Sequence, residues 1–100
     1  MTELRFSIPA AAIVEFCQQH RIRHLGLFGS VLRDDFRPES DVDVLVEFEP
    51  DVQIGLFALI DIQDELAVLL GRSVDLVLRQ GLKPAIRASV LASEQVIYSV

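Results

Sequence analysis

The sequence has little cysteine, few basic residues relative to acidic ones, and no long apolar run. It has one cysteine, Cys17, which cannot form an internal disulfide and therefore fits a reducing compartment. Nine lysines and arginines stand against 15 acidic residues, for a net charge of −6. Because binding to nucleic acid by counterion release needs a basic surface, autonomous nucleic-acid binding is disfavoured. The longest apolar runs fall far short of the roughly 18 residues that span a bilayer, so we expect a soluble cytoplasmic protein without a membrane segment.

The residues that are present predict one compact domain over residues 1–100. Hydrophobic residues make up 51% of the chain, too many for a disordered protein. Helical and strand periodicities alternate and predict the order α-β-α-β-α-β-α-β. The helix over 9–20 places Cys17 on its core-facing stripe. The other predicted helices cover 31–36, 55–70 and 84–92, and the predicted strands cover 24–28, 41–48, 73–78 and 95–100.

Acidic residues on two predicted strands point to a metal site. The strand over 41–48 alternates almost strictly, which places its valines on one face and its acids on the other. We expect helices on the valine face and an uncovered face that carries Asp41 and Asp43. If the strand over 73–78 turns its apolar side to the same helices, Asp75 joins them. Three converging carboxylates repel each other unless a cation is bound, so we predict a site for hard divalent ions, two Mg²⁺ ions that also hold substrate phosphates.

A second motif, Gly29-Ser30 followed by Arg33, predicts a phosphate-binding turn. Glycine permits a close approach of the backbone to a phosphate, and the start of a following helix offers unpaired N–H groups. Arg33 is placed to contact triphosphate oxygens. The alternative is that Arg33 pairs with a neighbouring acid such as Asp34 or Glu39. Phosphate contacts on one side and carboxylates on the other predict a nucleoside triphosphate as ligand.

Together these motifs resemble the signature of the polymerase-β-type nucleotidyltransferase superfamily. Gly29-Ser30, ten further residues and Asp41-Val42-Asp43 match its Gly-Ser to Asp-x-Asp spacing, and the size resembles the minimal nucleotidyltransferases (MNT proteins). The resemblance implies an α/β (α+β) fold, a small mixed β-sheet with helices on one face that forms a polymerase-β-like palm. It also implies that Asp41, Asp43 and Asp75 bind metal and carry catalysis, and that Gly29, Ser30 and Arg33 bind the nucleotide.

The same resemblance implies a function and a partner. MNT proteins are commonly antitoxins of HEPN-domain toxins, and some transfer AMP from ATP to a toxin tyrosine. It thus implies a Mg²⁺-dependent protein adenylyltransferase in a type VII-like toxin–antitoxin pair. Two alternatives stay open: a non-catalytic module that neutralises the toxin sterically, and an adenylyltransferase for small molecules.

The predicted helix over 55–70 is apolar almost all round and raises a separate question. An exposed apolar patch often marks an interface. Either the chain termini cover this patch, or it contacts a partner protein or a second copy, so a homo- or hetero-oligomer is open.

Overall fold

A computed structural model of the chain describes residues 8–29 and 41–100. Every element predicted within these ranges is present, with bounds within two residues of the prediction. The predicted helix over 31–36 lies outside the described residues. A short 3₁₀ turn, Arg79–Gly81, follows the third strand and was not predicted. The helices are α1 (Ala10–His20), α2 (Leu56–Leu70) and α3 (Pro84–Ser93), and the strands are β1 (Ile22–Phe28), β2 (Val42–Phe48), β3 (Val74–Leu78) and β4 (Gln95–Ser99).

The four strands form one mixed sheet in the order β3-β2-β1-β4. β1 is antiparallel to both β2 and β4, whereas β2 and β3 are parallel. A parallel pair needs a crossover connection, and α2 supplies it between β2 and β3. The predicted mixed sheet is therefore confirmed.

The hydrophobic core lies between one face of the sheet and the helices α1 and α2. The valines of β2 are fully buried in it, as the alternation over 41–48 predicts. Cys17 of α1 is also buried, at 0% exposure. α2 ends at Gly71, whose φ of 66° places it in the left-handed region that favours glycine. The other core residues from these helices are Ile13, Phe16, Ile62, Leu66 and Leu70.

The opposite face of the sheet carries Asp43, Leu45 and Glu47 and is called here the aspartate face. Leu45 has 0% exposure although it is not part of the main core, so the centre of this face is covered rather than open as expected. The connection from β3 to β4 explains the difference. It runs back across the sheet in the direction opposite to the β2-to-β3 connection, and right-handed crossovers in opposite directions lie on opposite faces. α3 therefore belongs to the aspartate face.

Part of the surface of α2 is apolar and exposed. Phe57 and Val68 are 83% and 81% exposed, and no residue in 8–29 or 41–100 covers them. Within the same ranges, no helix is long and apolar enough to cross a membrane.

Candidate active site

The three predicted aspartates lie at the start of two neighbouring strands. In the parallel ladder of β2 and β3, Asp43 is the register partner of Asp75, so both project from the aspartate face. Asp41 directly precedes β2 and lies two residues before Asp43. The Val42 N–H donates to the Ser73 carbonyl at 2.8 Å, which ties the start of β2 to the segment before β3. The strand order thus brings Asp41, Asp43 and Asp75 to one edge.

Gly29 lies beside Asp43, directly after β1, the other strand that neighbours β2. Phe28, the last residue of β1, is the register partner of Asp43, and Gly29 follows it with a φ of 77°. A Cβ at position 29 would collide with the Asp43 carboxylate. Only glycine satisfies both the left-handed backbone and this close approach. Ser30 and Arg33 lie outside the described residues.

The solvent exposure and chemistry of these carboxylates fit a hard divalent cation. Asp41 and Asp75 are exposed and Asp43 is half-buried, so ions and phosphates can reach them. Mg²⁺ prefers carboxylate oxygens and retains several water or phosphate ligands. Within residues 8–29 and 41–100, however, no group of three or more His, Cys, Asp or Glu side chains is placed so that it could hold a metal ion. The three-carboxylate metal site therefore stays a prediction.

Two side-chain contacts fix strands of this sheet to neighbouring elements. β3 is an edge strand, and the Leu76 N–H on that strand donates to the Gln63 side-chain oxygen of α2 at 2.9 Å. This bond satisfies an edge N–H group and fixes β3 against the helix. On the aspartate face, His24 of β1 pairs with the Glu94 carboxylate at 3.0 Å, at the junction of α3 and β4.

The sequence analysis missed Gly26, which makes that second contact possible. A Cβ at position 26 would collide with the Glu94 carboxylate, so the glycine lets the end of α3 approach the middle of β1. A glycine inside a strand often marks such an approach, and this signal was available in the sequence.

Comparison with known proteins agrees with this geometry. A family model described as a nucleotidyltransferase domain matches residues 11–97. A curated relative, protein adenylyltransferase MntA from Thermococcus cleftensis, is 38% identical over 92 residues, which cover 92% of this chain and 89% of the relative. The resemblance stated from the Gly-Ser and Asp-x-Asp motifs is confirmed.

Solved structures share the fold as well. A chain of a toxin–antitoxin complex with AMP-PNP matches with a TM-score of 0.72 and 19% identity, covering 92% of this chain and 74% of that chain. A chain of the complex between a tri-AMPylated Shewanella oneidensis HEPN toxin and an MNT antitoxin matches with a TM-score of 0.65 and 19% identity, covering 91% and 70%. At these identities the likeness shows the fold, and it confirms the predicted fold class.

Proposed function

The chain belongs to the nucleotidyltransferase domain family, and from that premise we propose that it transfers AMP from ATP to a hydroxyl group of a partner HEPN toxin and so acts as its antitoxin. The single observation that carries the proposal is the placement of Gly29 and Asp75 on either side of Asp43. The activity named for the Thermococcus relative supports the reaction. The AMP-PNP and tri-AMPylated toxin in the complexes of the same fold support the nucleotide and the partner.

In this proposal each group of residues has a role that follows from its position in the site. Gly29, Ser30 and Arg33 hold the triphosphate, because backbone N–H groups and a guanidinium suit phosphate oxygens. Asp41 and Asp43, with help from Asp75, would hold magnesium, which would supply charge neutralisation at the phosphates when bound.

Asp75 lies in register with Asp43 and takes the proton of the acceptor hydroxyl. The acceptor oxygen forms a bond to the α-phosphorus as the bond to the bridging oxygen breaks, and pyrophosphate leaves. A tyrosine acceptor, two Mg²⁺ ions, a cytoplasmic location and a single domain over 1–100 are parts of the same proposal.

Intact-mass spectrometry of the partner toxin tests the proposal. The toxin is incubated with ATP, Mg²⁺ and either the natural chain or the Asp41→Asn, Asp43→Asn double variant. A variant with Glu15→Gln, an exposed acid of α1, is the control for the loss of a negative charge elsewhere on the surface. We expect mass gains in AMP units with the natural chain and the control, and none with the double variant. An unchanged mass with the natural chain would contradict the proposed reaction.

The exposed apolar part of α2 favours a second candidate, neutralisation of the toxin by binding alone. Phe57 and Val68 offer apolar area to a partner surface. A toxin that is still neutralised by the Asp41→Asn, Asp43→Asn variant would support this steric module. Transfer to a small molecule in the absence of toxin would instead support the small-molecule adenylyltransferase.

A further inference from the structure

A cavity of about 320 Å³ opens on the aspartate face at the end remote from the aspartates, and is called here the arginine cavity. It is lined by Glu47 of β2, Arg79 and Gln80 of the 3₁₀ turn, and Arg87 and Leu91 of α3. The aspartates stand at the start of β2 and β3, whereas Glu47 and Arg79 stand at the end of these strands. Glu47 lies four positions after Asp43 along β2, a distance of about 13 Å.

The residues around this cavity are mainly basic, although the chain as a whole is acidic. Arg79 contacts the Glu47 carboxylate at 3.3 Å, and Arg23 approaches the same carboxylate from the other side at 3.8 Å. Arg87 donates to the Leu82 carbonyl at 3.0 Å and forms no ion pair with an acid of the described ranges. Two guanidinium groups therefore contact one carboxylate, and a third lines the same cavity, in a protein of net charge −6. Arg79 is 43% exposed, so its remaining donors are open to a ligand.

We propose that the arginine cavity is an oxyanion subsite that binds an anionic group of the acceptor. Guanidinium groups bind phosphate and carboxylate oxygens in pairs, and two of them converge here. The cavity shares the sheet face of Asp75, the residue proposed to activate the acceptor hydroxyl. An acceptor that presents its hydroxyl to Asp75 and follows the edge strand β3 past the partly exposed Val77 reaches Arg79 after about 13 Å. The claim that the bound oxyanion belongs to the acceptor rests on the proposed function, whereas the claim that the cavity binds an oxyanion does not.

The oxyanion has two possible sources on the acceptor. One is the phosphodiester of AMP that is already attached, since the HEPN toxin of the Shewanella complex is tri-AMPylated. The other is a carboxylate of the partner protein itself. Both present paired oxygens to the arginines, so the two sources share the same binding chemistry. The order in which AMP groups are transferred distinguishes the two sources.

A binding experiment tests the subsite without any transfer. The backbone N–H signals of Gln80 and Leu91, which line the cavity and are unchanged in every variant, are followed by NMR during titration with the dinucleotide ApA, whose phosphodiester is its only charge, and separately with acetate. We expect the Arg79→Gln, Arg87→Gln variant to bind about tenfold more weakly. Arg23→Gln is the matched control, because Arg23 contacts the same Glu47 from outside the cavity, and should change binding less than twofold. Glu47→Gln should strengthen binding, and added salt should weaken it.

An equal effect of Arg23→Gln and the double variant, or no effect of the double variant, would overturn the subsite. The transfer experiment then identifies the source. If the double variant adds the first AMP normally but not later ones, the ligand is a phosphodiester. If the first transfer shows a raised KM for the toxin at unchanged kcat, the ligand is a carboxylate. A raised KM for ATP would overturn the acceptor role. If the natural chain transfers no AMP, the proposed function is wrong. The binding experiment still shows whether the arginine cavity binds an oxyanion.

Discussion

Replacement of Gly29 by alanine tests the proposed site at its tightest contact. Gly29 has a φ of 77°, and an added Cβ would collide with the Asp43 carboxylate. The left-handed backbone alone costs an alanine about 1 to 2 kcal/mol. The collision adds to this cost, because the Asp43 carboxylate must shift to make room for the Cβ while its backbone stays in register between Phe28 and Asp75.

Gly71 provides a matched control for this experiment. It has a φ of 66°, but a Cβ added there would meet nothing within 4 Å. Gly71→Ala should therefore lower the free energy of unfolding by the backbone cost alone and leave AMP transfer unchanged. Gly29→Ala should cost about 1 kcal/mol more in stability. Since a misplacement of about 1 Å in a catalytic group can cost 100-fold in rate, we expect its transfer to fall by about that factor.

Urea denaturation and intact-mass kinetics measure the two quantities, and a double-variant cycle isolates the collision. In an Asp43→Ala background the carboxylate is gone, so Gly29→Ala should cost no more than Gly71→Ala. Full transfer activity in Gly29→Ala, or an excess stability cost that persists without the Asp43 carboxylate, would refute the reasoning.

Three further predictions concern the core and the charges. Leu66→Ala should lower the free energy of unfolding by about 2 to 5 kcal/mol, because Leu66 is 0% exposed. Val68→Ala on the same helix should lower it by less than about 0.5 kcal/mol, because Val68 is 81% exposed. Similar urea midpoints for the two variants would contradict this. Burial raises the pKa of Cys17 from 9.0 to about 12. The free energy of unfolding should therefore fall above pH 9 by up to about 1.4 kcal/mol per pH unit, because the thiol ionises in the unfolded chain before it does in the folded one. Cys17→Ala should remove that part of the slope in alkaline denaturation. Hydrogen bonds from Arg21 lower the pKa of Asp51 below 3.8. Their contribution to the free energy of unfolding is therefore present above pH 3.8 and is lost as the pH falls through the lowered pKa. Asp51→Asn should flatten the acid side of the curve of stability against pH, and an unchanged curve would count against the pairing.

Local patterns were sufficient to predict most secondary-structure elements. The strand alternation over 41–48 and the glycine that ends α2 act through the backbone and nearest neighbours, so they can be read from the chain. The same alternation sorted Asp41 and Asp43 from the valines. The ten-residue spacing between Gly29-Ser30 and Asp41 was enough to identify the family, because it is a linear feature.

Contacts between strands that are distant in the chain needed the folded structure. The pairing of Asp43 with Asp75 depends on the register of β2 and β3, and the approach of Asp43 to Gly29 depends on the register of β1 and β2. The cover over Leu45 follows from the strand order, because a right-handed return from β3 to β4 must cross the aspartate face. Side-chain alternation specifies only which residues share a face of one strand. What lies over that face depends on how the whole sheet is connected, and this is why the arginine cavity could not be predicted from the sequence.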